Sequence, residues 1–339
     1  MKNTCSILLY VLLAAPALSA CAQDGSQMMT QKERGQLVGR ISTLLLDNYI
    51  FPDVAKEMVI ALNEGLQSTY STIDDPKEFA ESLTRDLQAI SNDRHMRIVY
   101  DPEALQVPGS TGSSEDRAAS MKSYMDKLKR ENYGFKELKI LDGNIGYLNL
   151  TGFVNTDHAR ETAVDAMNFL AATDAMIIDL RENGGGSPTM IQLITTYFFE
   201  GDPTHLNTFY NRPNDETWES WTLADVPGKR MPDVDLYLLT SNYTFSAAEE
   251  FAYNLRNLNR ATIVGETTGG GAHPVDRRMI SDRFMISLPI GRAINPISQT
   301  NWEGVGVEPH VKVDREEALN IAQKMAVQKL DVAVVGEKK

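Results

Sequence analysis

Ser246 stands where one local pattern gives way to another. Before it runs Leu236-Tyr237-Leu238-Leu239-Thr240, a short apolar stretch with polar neighbours, as a buried strand would have. After it Ala248, Phe251, Ala252 and Leu255 fall at helical spacing. A hydroxyl at such a junction sits at a helix N-terminus, beside backbone N–H groups able to receive negative charge, which is an arrangement suited to a nucleophile. Ser246-Ala247-Ala248-Glu249 is also a Ser-x-x-Glu capping box, so a helix start alone accounts for it. A second candidate is Asn183-Gly184-Gly185-Gly186, between the apolar run 175–180 and a helix opened by Ser187-Pro188. Glycines there can turn N–H groups towards a ligand, or simply make a turn. The run lacks both phosphate-loop spacings. Of the five histidines, His158, His205 and His310 have no neighbours at ligand spacing, so no metal site is indicated and no cofactor is expected. His95 is a lone loop histidine, of a kind that is usually exposed or satisfied, and Glu303 reads as a surface carboxylate. His273, downstream of the serine in Gly269-Gly270-Gly271-Ala272-His273-Pro274, is a further candidate base.

The elements that must position these residues fall into two groups. Apolar residues at helical spacing mark three amphipathic helices before residue 100, through Leu37, Ile41, Leu44 and Leu45, then Val54, Met58, Ala61 and Leu62, then Phe79, Leu83, Leu87 and Ile90. Phe51-Pro52 separates the first two, and Asp75-Pro76 supplies a cap and a first-turn proline for the third. Residues 107–115 have loop composition, and a short helix carrying Met121, Tyr124, Met125 and Leu128 follows. Beyond it strands alternate with helices. Asp142-Gly143-Asn144 makes a hairpin of 138–141 and 145–150, and a helix over 159–170 leads to the strand 175–180. Such alternation implies an α/β layered domain, closed by a helix from about 315 to 329. The expected organisation is a signal peptide over 1–20, a tether over 21–28, a helical domain over 29–105, a linker and short helix over 106–130, and an α/β domain over 131–330.

At 339 residues and 42% hydrophobic content the chain can fill two cores, and a formal charge of −13 argues against nucleic acid as a partner. Lys2 and the apolar stretch 7–18 read as an export signal too short to span a bilayer permanently. Leu18-Ser19-Ala20-Cys21 matches the lipobox of bacterial lipoproteins, whereas Ala20-Cys21-Ala22 would also serve as an ordinary cleavage site. The lipobox reading makes Cys21 the lipidation site, and Ala22, rather than an aspartate, directs the tethered protein to the periplasmic face of the outer membrane. Cys5 leaves with the signal, so the mature chain has no internal disulfide to form. The sequence does not fix the oligomeric state.

Thr244-Phe245-Ser246-Ala247-Ala248-Glu249-Glu250-Phe251 followed by 261–271, together with Ile177 to Gly186 and Trp302-Glu303-Gly304-Val305-Gly306-Val307-Glu308-Pro309, resembles the carboxy-terminal-processing (tail-specific) serine peptidases. The likeness is to the branch that includes interphotoreceptor retinoid-binding protein and the tricorn core protease, and it covers nearly all of the mature chain. It implies a ββα spiral of the crotonase and Clp-protease superfamily for the α/β domain. It also implies a serine endopeptidase acting on peptide or protein substrates through an acyl-enzyme. Ser246 would be the nucleophile, His95 the base and Glu303 the residue that orients the site. Gly184, Gly185 and Gly186 with the N–H of Ala247 would form the oxyanion hole. The dyad members of the family carry a lysine where Gly270 stands here, which leaves the proton to a histidine, His95 first and His273 in reserve. Arg94 replaces the serine that the tricorn pattern places before the histidine, and too few residues follow His95 to hold the PDZ domain usual in tail-specific proteases. The alternatives are a non-catalytic binder of apolar small molecules or peptides on the same scaffold and an acyl-coenzyme A enzyme. Export disfavours the second, whose substrates are cytosolic.

Overall fold

A computed structural model describes residues 28–102 and 114–336. The export signal, Cys21, the tether up to residue 27 and the expected loop as far as residue 113 lie outside the described residues.

Three helices open the described chain: α1 (Gln31–Asn48), α2 (Pro52–Gln67) and α3 (Pro76–Ser91). Thr30 caps α1 reciprocally with Glu33, and Asp75 caps α3 by accepting the Glu78 N–H at 2.7 Å. The periodic residues Leu37, Ile41, Leu45, Met58, Leu62, Phe79, Leu83 and Leu87 all face one core. That core is finished by residues far along the chain. Ile280, Phe284, Ile286 and Leu288 are buried in it, each worth about 1.5–3 kcal/mol on full burial. They belong to a hairpin of β9 (Val275–Met279) and β10 (Phe284–Pro289), which with β1 (Arg97–Tyr100) makes an antiparallel sheet of order β1-β10-β9. The helical layer therefore shares its core with the carboxy-terminal half.

The helix read around Met121–Leu128 extends over Ser114–Arg130 as α4. The α/β part that follows is built on a six-stranded sheet. Its hairpin of β2 (Phe135–Leu141) and β3 (Ile145–Leu150) is antiparallel, and β4 (Ala175–Asp179), β7 (Asp235–Thr240), β8 (Ala261–Gly265) and β12 (Val311–Lys312) then add parallel to β3 in that order. The period of two along a strand sorts the apolar runs between two covered faces. Met176, Ile178, Leu236 and Leu238 pack under α5 (Thr156–Leu170), α6 (Pro188–Thr196) and α7 (Ala247–Asn257). Ala175, Ile177, Tyr237 and Leu239 pack against Ala318, Ala322 and Ala326 of α8 (Ala318–Gly336). A further antiparallel sheet of β5 (His205–Asn211), β6 (Glu216–Trp221) and β11 (Gly291–Ile294) flanks the main one. The architecture is α/β with a helical amino-terminal part, as expected. Among the described residues no helix is long and apolar enough to cross a membrane.

Candidate active site

The turn between β7 and α7 places Ser246 at φ 56° and ψ −122°, a backbone state that side-chain-bearing residues seldom hold and that persists only when its surroundings enforce it. Four hydrogen bonds around it do so. Thr244 Oγ1 donates to the Leu180 carbonyl at 2.8 Å, and Ser241 Oγ to the Arg181 carbonyl at 2.6 Å, which ties this turn to the end of β4. Phe245 N–H donates to the Asn183 carbonyl at 3.1 Å, and Ser246 N–H to Glu249 Oε2 at 2.9 Å. Glu249 is the glutamate of the capping sequence, but it does more than cap. Its fully buried carboxylate also takes the N–H groups of Gly270 at 2.6 Å and Gly271 at 2.8 Å and the hydroxyl of Thr268. Burial pushes this carboxyl up to about 6, against those four hydrogen bonds. One buried acid thus locks the serine turn to the glycine run.

Beside that turn lies the loop after β4. The expected oxyanion assignment needs a correction here, because the Gly185 N–H donates to Asn183 Oδ1 at 2.9 Å and is already engaged. Gly185 serves by its size: at φ 109°, an added Cβ would come within 2.8 Å of Ser246 Cβ and 3.0 Å of the Ala247 nitrogen. Gly186 forms a bridge to Phe153 that uses the Gly185 carbonyl and the Ser187 N–H and leaves its own N–H out. Ala247 is the first residue of α7, so its N–H has no acceptor within the helix.

His95 is brought to the serine by the end of α3. Asn92 closes that helix in a left-handed conformation, and Asp93 then accepts the His95 backbone N–H on Oδ1 at 2.9 Å. The His95 ring packs on the Phe245 ring with centroids 4.6 Å apart. His95 and Ser246 line the same cleft of about 630 Å³, together with Gly184 and Gly186. Behind the imidazole the chemistry is crowded. Asp93 Oδ2 meets His273 Nδ1 at 2.7 Å, and that nitrogen lies 3.4 Å from Glu303 Oε2. Glu303 Oε2 accepts the N–H groups of Ala272 at 2.6 Å and His273 at 3.2 Å, while its Oε1 and the His95 Nδ1 are both buried without a hydrogen-bond partner. Burial drives the His95 imidazole down to about 4. The Asp93 carboxylate works against this, and His273, Arg97 and Arg94 add to it. Burial raises the Glu303 carboxyl, as does the neighbouring Asp93 charge, with His273 opposing.

The structure brings Ser246, His95, Glu303, Gly184, Gly186 and Ala247 together. His273 sits behind His95, edge-on to Phe51 at 5.5 Å, and is not among the residues lining the cleft. Asp93, His95 and Glu303 each offer a ligand atom within 4.8 Å of the others, a cluster that a divalent cation could enter and that sequence spacing did not reveal. The carboxylate oxygen nearest the orphaned His95 Nδ1 is Asp93 Oδ1, at 3.8 Å. Sequence reasoning passed over Asp93 and the wider role of Glu249. The only local signal was an aspartate two residues before a histidine and a glutamate at the third helical position.

Residues 144–313, half of the chain, match peptidase family S41, and residues 21–133 match the N-terminal domain of peptidase S41 in eukaryotic IRBP. The chain belongs to peptidase family S41. Among curated relatives it is 23% identical over 203 residues to the tricorn protease of Thermoplasma volcanium, covering 59% of this chain and 18% of that protein. It is 25% identical over 182 residues to the carboxy-terminal processing protease CtpA of Bacillus subtilis, covering 53% and 37%. The chain thus spans under two fifths of the length of either relative. The solved structure of mature CPAF shares the fold, with a TM-score of 0.60 at 12% identity over 88% of this chain and 97% of that one.

Proposed function

We propose that this S41 family member is an exported serine endopeptidase. Ser246 Oγ attacks a peptide carbonyl, and His95, through the ring nitrogen opposite its buried Nδ1, takes the proton and later returns it to the leaving amine. Asp93, whose Oδ1 lies 3.8 Å from Nδ1, stabilises the imidazolium, and Glu303 beside it orients the site. The N–H groups of Ala247 and Gly186 receive the charge of the tetrahedral intermediate. The observation that carries this reading is the strained Ser246, held at a helix N-terminus in one cleft with His95, whose buried Nδ1 lacks a hydrogen-bond partner and backs onto Asp93 and Glu303. A fluorophosphonate probe should label Ser246, as mapped by mass spectrometry. Ser246→Ala should lose both labelling and peptide hydrolysis while keeping its fold, since any cap it loses costs about 0.5–2 kcal/mol. Wild-type protein that is neither labelled nor hydrolytic would leave the binder of apolar molecules or peptides as the better account.

The same reading places the protein in the bacterial cell envelope, tethered through acylated Cys21 and facing the periplasm at the outer membrane. The support is the Leu18-Ser19-Ala20-Cys21 sequence with Ala22 after it. Incorporation of radiolabelled palmitate should occur in the wild type and vanish in Cys21→Ser.

A further inference from the structure

The cleft beside Ser246 is lined by Arg94, Arg97 and Arg277 and by no aspartate or glutamate, in a chain whose formal charge is −13. Two of these arginines are placed by sheet register. In the order β1-β10-β9, Arg97 pairs with Ser287 and Ser287 with Arg277, so the three residues form a row across one face of the sheet. Adjacent strands are about 4.8 Å apart, which sets the two arginine backbones roughly 10 Å apart with a short serine side chain between them. That separation lets two long guanidinium stems converge over Ser287 on a single planar anion. Neither Arg97 nor Arg277 forms an ion pair among the described residues, and both are exposed. Their neighbour Arg278, on the opposite face of β9, is by contrast paired with Asp276 at 2.7 Å. Arg94, the third, is already oriented: it donates to the Gly269 carbonyl at 2.8 Å and lies over the Phe245 ring at 5.6 Å. Unpaired like charges on one wall of a cleft repel one another, a cost that a bound anion removes.

We propose that Arg97, Ser287 and Arg277 form a carboxylate-binding subsite that selects peptides carrying an anionic group close to the bond presented to Ser246. This rests on the peptidase reading for its position along the substrate, but the binding itself does not. The carboxylate comes either from an Asp or Glu side chain or from a free peptide C-terminus, and both present the same planar anion to two guanidiniums and a hydroxyl. The proximity of Arg97 and Arg94 to His95, which lowers the affinity of the imidazole for a proton, is consistent with a site completed by substrate charge.

The test uses quenched fluorogenic peptides in matched sets: Glu against Gln at each position around the scissile bond, and free against amidated C-termini. Wild-type kcat/KM should favour the acidic or free-acid member by about tenfold to a hundredfold, the usual reach of a charge-assisted pair. Arg97→Gln and Arg277→Gln should each cut that ratio at least tenfold, and Arg277→Glu should turn the preference towards Lys-containing peptides. Arg278→Gln, on the far face, should keep the wild-type ratio. Loss of preference on amidation alone identifies the terminal carboxylate, and loss on internal Glu→Gln alone identifies the side chain. A wild-type protein indifferent to both changes, or a ratio unmoved in Arg97→Gln and Arg277→Gln, overturns the subsite. Fluorescence anisotropy of the same peptides on Ser246→Ala protein separates this from the peptidase reading. Carboxylate-dependent binding lost in the arginine variants would uphold the subsite even if no hydrolysis were found, and charge-blind binding would sink it even in an active enzyme.

Discussion

His95 and Gly270 decide the chemistry at the scale of single residues. Gly270 has φ 80°, its N–H is bound to Glu249, and an added Cβ would lie 3.1 Å from the Gly304 carbonyl carbon, so a lysine on this backbone would be strained and crowded. In the proposed mechanism the proton from Ser246 goes instead to an imidazole. Burial holds His95 down to about 4, so its neutral, proton-accepting form is populated from mildly acidic pH upwards. The sign follows directly: a base must be unprotonated to act, so activity rises with pH through the His95 step and lies flat above it. We expect kcat/KM of the free enzyme to climb between about pH 4 and 5 and to be level around pH 7, well to the acid side of an ordinary histidine at about 6.5. His95→Ala should lower turnover about 100- to 10,000-fold. Full activity in His95→Ala with loss in His273→Ala would move the role to His273, and a limb centred near 6.5 in the wild-type profile would show that burial does not set the His95 step. The strand-to-helix junction at Ser246 was legible in the local pattern, which a helix cap alone also explains, and its role as nucleophile was legible only in the family likeness. Asp93 was not, since two residues spaced Asp-x-His carry no periodic signal and only the left-handed Asn92 turns them inward.

Among the elements, the amphipathic helices were readable and the hairpin of β9 and β10 was not, for a physical reason. The faces of α1, α2 and α3 repeat their apolar residues at helical period, and all three form where that pattern predicts. By contrast, β9 reads Val-Asp-Arg-Arg-Met, with no apolar alternation, because its exposed arginine faces the cleft while the partner strand β10 carries the buried residues. Its purpose is visible only once β1 pairs with β10 and the helices close over Phe284 and Ile286. Phe284 is 1% exposed, stands opposite Tyr100 in the β1 register and packs ring on ring with it at 5.1 Å. We expect Phe284→Ala to cost about 3–5 kcal/mol of stability, as large-to-small changes in a packed core do. Because β1 follows His95 directly, the same change should lower kcat at temperatures where the protein is still folded. Thermal melts and turnover measured side by side check both. A loss of stability with full retention of kcat would mean that the hairpin supports the helices without placing the histidine.

For the molecule as a whole, the site joins distant parts of the sequence at the boundary between two layers, and its buried charges set how stability changes with pH. The family likeness pointed to Ser246, His95 and Glu303 separately, but their meeting place depends on the helical layer sharing its core with the hairpin, which no local pattern encodes. Among the buried acids, Glu250 lies in the first turn of α7, turned into the protein with its Oε1 unpartnered, and burial drives its carboxyl up to about 7 against opposing hydrogen bonds from Asn207 and Asn254. The unfolded chain releases this proton near the ordinary 4.5, whereas the folded chain keeps it until about 7. Between those values the folded state binds more protons than the unfolded one, so raising pH destabilises it, by up to about 1.4 kcal/mol for each pH unit. Glu249 and Glu303 act with the same sign, and His95 with the opposite sign, losing stability as pH falls below about 6.5. Comparing a variant with the wild type at each pH cancels these shared contributions. Glu250→Gln keeps the shape and removes the titration. Its melting temperature should be close to that of the wild type at pH 5, should exceed it increasingly up to about pH 7, and should keep that lead at pH 8, where the wild-type carboxyl is ionised in the interior. A difference that stays constant from pH 5 to 8 would show that hydrogen bonding by Asn207 and Asn254, or water reaching the carboxyl, offsets its burial and that Glu250 does not control the acid–base stability of this fold.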